Sequence, residues 1–289
     1  MTTENPLHPE RGAAPGTPLR VLVITGGHDF EAPDFFAVFD ALPGISWSHA
    51  EPPDAWAYLR PERAGEFDAI VCYDMQGFEF QAPLPPKLLV PPAADAAGLR
   101  GLLDAGQGLV VLHHAVCSWP AWPTWAQVVG ARMNFVASEL GGTVWPGSGY
   151  TQPEVTHHVS CVDPAHPICA GLEEGFDITD ELFLYPVLSD RVIPLLRTDF
   201  DQSAASYYSA ELAVQGRPFV ADGFAHPAGT GLIGWVKTAG RSPVAYLQCG
   251  HGPAAYANPA YRRMLSNAIG WAASAPAHDW ASGHHTALA

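Results

Sequence analysis

The sequence predicts an α/β fold built on a mainly parallel sheet with helices on both faces. Three observations carry this. Short, almost uninterrupted apolar runs occur at residues 20–24 (RVLVI), 67–73 (FDAIVCY) and 108–112 (GLVVL), segments of helical spacing lie between them, and a turn signal follows the first. Strands buried on both faces read as continuous apolar runs, and strands alternating with helices build parallel sheets.

The first run ends in Thr25-Gly26-Gly27-His28, a strand passing into a turn. Residues 33–42 (PDFFAVFDAL) follow at helical spacing, with Pro33 tolerated in the first turn. Residues 94–105 read as a helix stopped by Gly106, and the third run leads straight into His113-His114. Residues 156–162 alternate as a strand, whereas 163–172 (DPAHPICAGL) form a loop by their Pro and Gly content. Further strands are expected at 192–197, 231–236 and 243–247. Residues 259–273 form an amphipathic helix with Tyr261, Leu265, Ile269 and Ala272 near one face. Residues 203–220 read as an insertion loop. No repeat and no separating linker is visible. The expected organisation is therefore a flexible leader (1–18), one domain (19–274) and a tail that frays (275–289).

At 289 residues and 48% hydrophobic content, the chain can bury a core without staples. A formal net charge of −15 repels phosphate backbones and anionic membrane surfaces, which argues against nucleic acid and membrane as partners. A small neutral ligand such as a sugar meets no such penalty, and a homo-oligomer is compatible with this composition. No apolar run is long enough to cross a bilayer. The polar, Pro/Gly-rich start lacks the basic and apolar regions of a signal peptide, so the expected location is cytoplasmic. Five scattered cysteines without a C-x-x-C pair read as reduced, buried thiols.

Ligands of open α/β sheets bind at the carboxyl ends of the strands. Three such ends carry histidine: Gly26-Gly27-His28-Asp29, His113-His114-Ala115 and Cys249-Gly250-His251-Gly252. Convergence of three strand ends favours a site at His28, His114 and His251. By contrast His8, His49, His278, His284 and His285 read as surface polarity. Strand alternation expects one of His113 and His114 to face the sheet layer and the other the cleft. Trp119, Trp122 and Trp125 cluster just beyond; they read as packing, with Trp119 best placed to stack on a sugar ring.

The motifs ITGGHDF, LVVLHHA, HPICAGL, ITDELFLYP, LQCGHG and NPAYRRMLSNAIGWAA, in this order across residues 20–273, resemble the ThuA-like (trehalose utilisation) family. The resemblance implies a flavodoxin-like three-layer sandwich similar to the class I glutamine amidotransferases. It also implies catabolism of trehalose and related sugars through 3-keto intermediates. Matched residue by residue, it puts His28, His114, Glu181 and His251 at the catalytic site and His166-Pro167 in an HP loop. Asp29, His113, Trp119 and Tyr185 become substrate-binding candidates. One departure is the segment 238–243 (TAGRSP), where the family has a Gly-Lys-Gly-Arg turn. A hairpin is expected there, without a role for lysine.

Amidotransferase chemistry needs a cysteine on a tight, glycine-flanked elbow. Here His113-His114-Ala115 occupy the elbow, and Cys117 stands between Val116 and Ser118. Neither glutaminase activity nor a strained elbow is expected. The favoured activity is lyase or hydrolase chemistry on a keto-glycoside. His114 would be the base, with His28 and His251 polarising the carbonyl, directly or through a divalent metal. A set of His28, His114, His251 and Glu181 suits zinc or manganese. The alternative is a non-catalytic sugar-binding or scaffold domain, which need not gather these side chains into one pocket.

Overall fold

The computed structural model describes residues 16–80 and 84–288, so most of the expected leader lies outside the described residues. In chain order the principal elements are β1 (Leu19–Gly26), α1 (Ala32–Ala41), β2 (Ile45–Ala50), β3 (Ala69–Asp74), α2 (Ala93–Asp104), β4 (Leu109–Leu112) and α3 (Pro123–Val129). There follow β5 (Val155–Cys161), β6 (Phe176–Asp180), β7 (Ile193–Thr198), α4 (Ala210–Val214), β8 (Leu232–Ala239), β9 (Ser242–Leu247), α5 (Pro253–Ala257), α6 (Pro259–Ala272) and α7 (Ala275–Gly283).

Among the described residues nine strands form one sheet in the order β6-β5-β7-β8-β9-β4-β3-β1-β2. The block β9-β4-β3-β1-β2 is parallel throughout, and the three runs expected to be neighbours are adjacent in it. The strands beyond β9 join by antiparallel pairing. Alternate residues of the parallel strands feed two separate cores. Val21, Val23, Val71, Val110 and Leu112 pack with Phe35 and Phe39 of α1 and with Leu265 and Ile269 of α6. Leu22, Ile24, Ile70, Cys72 and Val111 pack with Leu99 and Leu103 of α2 and Val128 of α3. These are the three layers of the sandwich. Burial of each such Leu, Ile or Phe contributes about 1.5–3 kcal/mol.

The segment 238–243 does form a tight hairpin between β8 and β9. Ala239 pairs with Ser242, and Gly240 takes the positive φ of 58° that the turn requires. Two expectations change. The chain beyond Ser274 does not fray but forms α7. Ser274 caps it by accepting from Ala277 N, and Ala277 and Ala281 are buried. Residues 203–220 are not merely a loop: they hold α4 and a short strand, Tyr208–Ser209, paired with Gly149–Tyr150. Among the described residues no helix is long and apolar enough to cross a membrane.

Candidate active site

The carboxyl ends of β1, β3, β4 and β9 share one edge of the parallel block, and the chain leaving β4 enters the site at once. His113 has φ of 40°, a left-handed conformation that costs a non-glycine residue about 1–3 kcal/mol and concentrates at functional sites. A strained elbow therefore does exist, and histidine occupies it. Residues His113–Cys117 continue as a 3₁₀ turn, so the strand alternation ends at Leu112. Both rings of the pair consequently enter the same cluster, with centroids 4.2 Å apart.

Glu181 is the hub. Its Oε2 lies 3.1 Å from His113 Nε2, 3.0 Å from His251 Nδ1 and 3.8 Å from His114 Nε2. His113 Nε2 and His251 Nδ1 are 3.2 Å apart. The other nitrogen of His113 faces the Gln248 carbonyl oxygen, which only accepts, so Nδ1 carries the proton. A neutral His113 would then aim a bare Nε2 lone pair at a carboxylate. That contact is attractive only with positive charge between the two, either a second ring proton or a cation.

The electrostatics agree. Burial pushes the Glu181 carboxyl up, but hydrogen bonds and charge from His113 and His251 outweigh it and hold the group at about 2. Burial lowers His251, yet the Glu181 bond and charge leave it raised overall. His114 is driven well below the ordinary histidine value, first by burial and then by the charges of His113, His28 and His251. It stays a neutral imidazole, and its Nδ1 is buried without a hydrogen-bond partner among the described residues.

Backbone and side-chain bonds fix His251. Asp180, the last residue of β6, accepts from Gly250 N at 2.6 Å and His251 N at 2.9 Å. Tyr73 donates to the Gly250 carbonyl at 2.9 Å, and Tyr256 donates to the His251 carbonyl at 3.0 Å. The Gln152 amide donates to Glu181 Oε1 at 3.2 Å and lies 3.2 Å from His251 Nε2. Neither Asp180 nor Gln152 is among the candidates from the sequence: Asp180 lies in the ITDELFLYP motif, but only its neighbour Glu181 is singled out there, and Gln152 belongs to no motif.

His28, His114, Glu181 and His251 all line one cavity of about 270 Å³. His114 stands between the other two imidazoles, its centroid 3.8 Å from the stacked His28 and 5.3 Å from His251. That keeps all three within reach of one small substrate. His28 is exposed at the mouth, and desolvation by its neighbours followed by the His113 charge lowers its pKa. The four side chains whose donor atoms approach within 4.8 Å of one another are His113, His114, Glu181 and His251. His113 thus takes the place expected for His28 in a metal-ligating set.

The remaining candidates lie further out. Asp29 is exposed in the wall of a second cavity. Trp119 is half-buried, tilted against Trp56, and outside the walls of both cavities. Tyr185 is buried with its hydroxyl bonded to that of Tyr246, also away from both walls. Cys117 lines the first cavity, but burial pushes its thiol well above the usual range. His166 accepts from Ile168 N and caps the 3₁₀ turn Pro167–Cys169, a structural role.

The profile of the ThuA family, described as trehalose utilisation, matches residues 20–272. The chain belongs to the ThuA family. That membership supports a role in trehalose utilisation. The fold of this ThuA-family protein is similar to that of a ThuA-like protein from Parabacteroides merdae, at a TM-score of 0.63 and 14% identity over 89% of this chain and 91% of the other. A ThuA-like protein from Bacteroides uniformis gives a TM-score of 0.56 at 17% identity over 89% and 93% of the two chains. A cytoplasmic protein from Salmonella typhimurium gives 0.53 at 11% identity over 88% and 99%. No curated protein matches the chain in sequence.

Proposed function

We propose that this ThuA-family protein is a cytoplasmic sugar-catabolic enzyme that cleaves a 3-keto-glycoside by proton abstraction. The observation that carries the reading is the pairing of a neutral, buried histidine, His114, with the Glu181 carboxylate and the His113 and His251 imidazoles bonded to it, beside one cavity. The five cysteines are free thiols, as a reducing compartment would keep them.

A 3-keto group acidifies the proton on C2. His114, neutral near pH 7, takes that proton, the electron pair forms the C1–C2 double bond, and the C1–O bond breaks. The protonated His114 gives that proton to the departing oxygen, which leaves as an alcohol, and the imidazole returns to its neutral form. Water added to the product completes hydrolysis; without it the reaction is an elimination. Negative charge building on the C3 oxygen needs fixed positive or hydrogen-bonding groups, which His251 supplies as an imidazolium and His28 as a neutral donor.

The cluster also fits a divalent metal. Tetrahedral ligation at about 2.0–2.2 Å separates donor atoms by roughly 3.3 Å. His113 Nε2, His251 Nδ1 and Glu181 Oε2 lie 3.0–3.2 Å apart pairwise. The His113 Nδ1 contact with the Gln248 carbonyl is the outer bond that orients a ligating imidazole. His113, His251 and Glu181, with His114 adjacent, would hold zinc or manganese. The ion would stabilise the charge developing on the carbonyl oxygen. The test is turnover of 3-keto-trehalose and simple 3-keto-glucosides by the purified protein, with and without added zinc or manganese. Cleavage of at least one supports the reading; inertness toward all of them under every metal condition refutes it.

A further inference from the structure

Two cavities of opposite character meet at His28 and Met75, which belong to the walls of both. The larger, about 670 Å³, is the more polar of the two: the Gly26–Gly27 turn, Asp29 and Glu51, groups that bond hydroxyls, line it beside Phe30 and Phe80. The smaller, about 270 Å³, has the histidine–glutamate cluster at one side. Its other walls are Met75, Met133, Phe135, Phe183, Val214 and Phe219. Its further polar groups are few and partly engaged: Tyr150 accepts from Phe219 N at 3.0 Å and the Gln152 amide nitrogen donates to Glu181, which leaves the Tyr150 O–H and the Gln152 Oε1 for a ligand. Val214 and Phe219 come from the 203–220 insertion, so a segment outside the parallel sheet completes the apolar side.

Resting on the keto-glycoside reading, we propose that the substrate carries an apolar aglycone, such as an aromatic or aliphatic ring, in the smaller cavity. The hydroxyl-rich keto-sugar lies toward the larger one, and the scissile bond falls near His28 and His114. A second sugar in the smaller cavity would meet only the Tyr150 O–H and Gln152 Oε1 beside the histidine–glutamate cluster and lay its other hydroxyls against methionine and phenylalanine side chains, so 3-keto-trehalose is expected to turn over more slowly than a glycoside with an apolar aglycone. A ring of carbon atoms would instead bury apolar surface there and stack on Phe183 or Phe219. Adaptable Met75 and Met133 suit rings of differing outline.

The test compares benzyl and methyl 3-keto-glucosides, whose leaving alcohols have similar acidity, so any preference reports the cavity and not leaving ability. The benzyl compound is expected to have a kcat/KM roughly tenfold or more above the methyl one. Val214→Asn, at a half-buried position on the margin of one core, and Phe219→Ser, at an exposed one, should each pull that ratio toward one, with Tm measured alongside to confirm the fold. A parallel calorimetric titration with unoxidised benzyl and methyl glucosides reads the cavity without chemistry. Equal kcat/KM values together with equal affinities overturn the aglycone assignment while leaving keto-glycoside cleavage standing. Tight, Val214-dependent binding of the benzyl compound with no turnover of any keto-glycoside supports the cavity assignment and refutes the reaction. A benzyl preference that neither substitution reduces also overturns the assignment.

Discussion

His113 Nε2 faces Glu181 Oε2 at 3.1 Å while its Nδ1 is committed to the Gln248 carbonyl oxygen. A neutral ring cannot hold both contacts favourably, so positive charge belongs between these two residues. A left-handed backbone at His113 sets the geometry, and the cost of that conformation is of the size found where function demands it.

Zinc or manganese should therefore bind the protein and stabilise it. Ligand at a hundredfold excess over Kd adds about 2.7 kcal/mol, which for a chain of this size is several degrees of Tm. Wild-type protein titrated with zinc should show that rise and retain about one equivalent after desalting. Glu181→Gln and His113→Ala should lose both. An unchanged Tm with no retained metal removes the ion from the account and leaves an imidazolium at His251 as the electrophile.

Asp180 acts on the site through the Gly250–His251 backbone. Asp180→Ala removes three hydrogen bonds, from Gly250 N, His251 N and Glu181 N, and leaves those N–H groups without their acceptor, a loss of about 3 kcal/mol. Thermal unfolding should shift down accordingly, and kcat should fall because His251 is no longer held against Glu181. A variant with wild-type Tm and kcat would show that Tyr73 and Tyr256 suffice to hold the turn.

Cys117 should be inert. Its thiol is buried and pushed well above the usual range, and no glycine-flanked elbow presents it. Glutamine hydrolysis is expected to be undetectable, and a glutamine-derived affinity label should leave Cys117 unmodified by mass spectrometry. Stoichiometric labelling at Cys117 would contradict this.

Asp74 offers a pH test away from the histidines. Burial pushes its carboxyl up to about 7. A raised folded-state pKa gives stability that is full below the unfolded value near 3.9 and is lost as pH rises through about 7. Asp74→Asn cannot ionise, so its Tm advantage over wild type should grow between pH 4.5 and pH 7.5. A difference that stays constant across that range would show the carboxyl to be ordinary.

Much of this architecture is legible in the sequence because the parallel block is buried on both faces. RVLVI, FDAIVCY and GLVVL read as strands for that reason, and their order and direction follow. Edge strands were harder. In β2 the polar Ser46, Ser48 and His49 interrupt the apolar run, and β6 (FDITD) alternates over only five residues, two of them aspartate. Three histidines at strand ends pointed to the cavity, but the role of His113 was hidden, since alternation cannot anticipate a positive φ at a non-glycine residue. The apolar wall was hidden too. Val214 and Phe219 sit in a segment without periodicity, and only packing brings them opposite His114.

The most direct measurement is the turnover number of His114→Asn against wild type on a 3-keto-glycoside, with circular dichroism to confirm the fold. Loss of a general base costs about 10²–10⁴-fold in rate. The account predicts a fall of that size in kcat with a native spectrum; near-wild-type turnover by His114→Asn would contradict it.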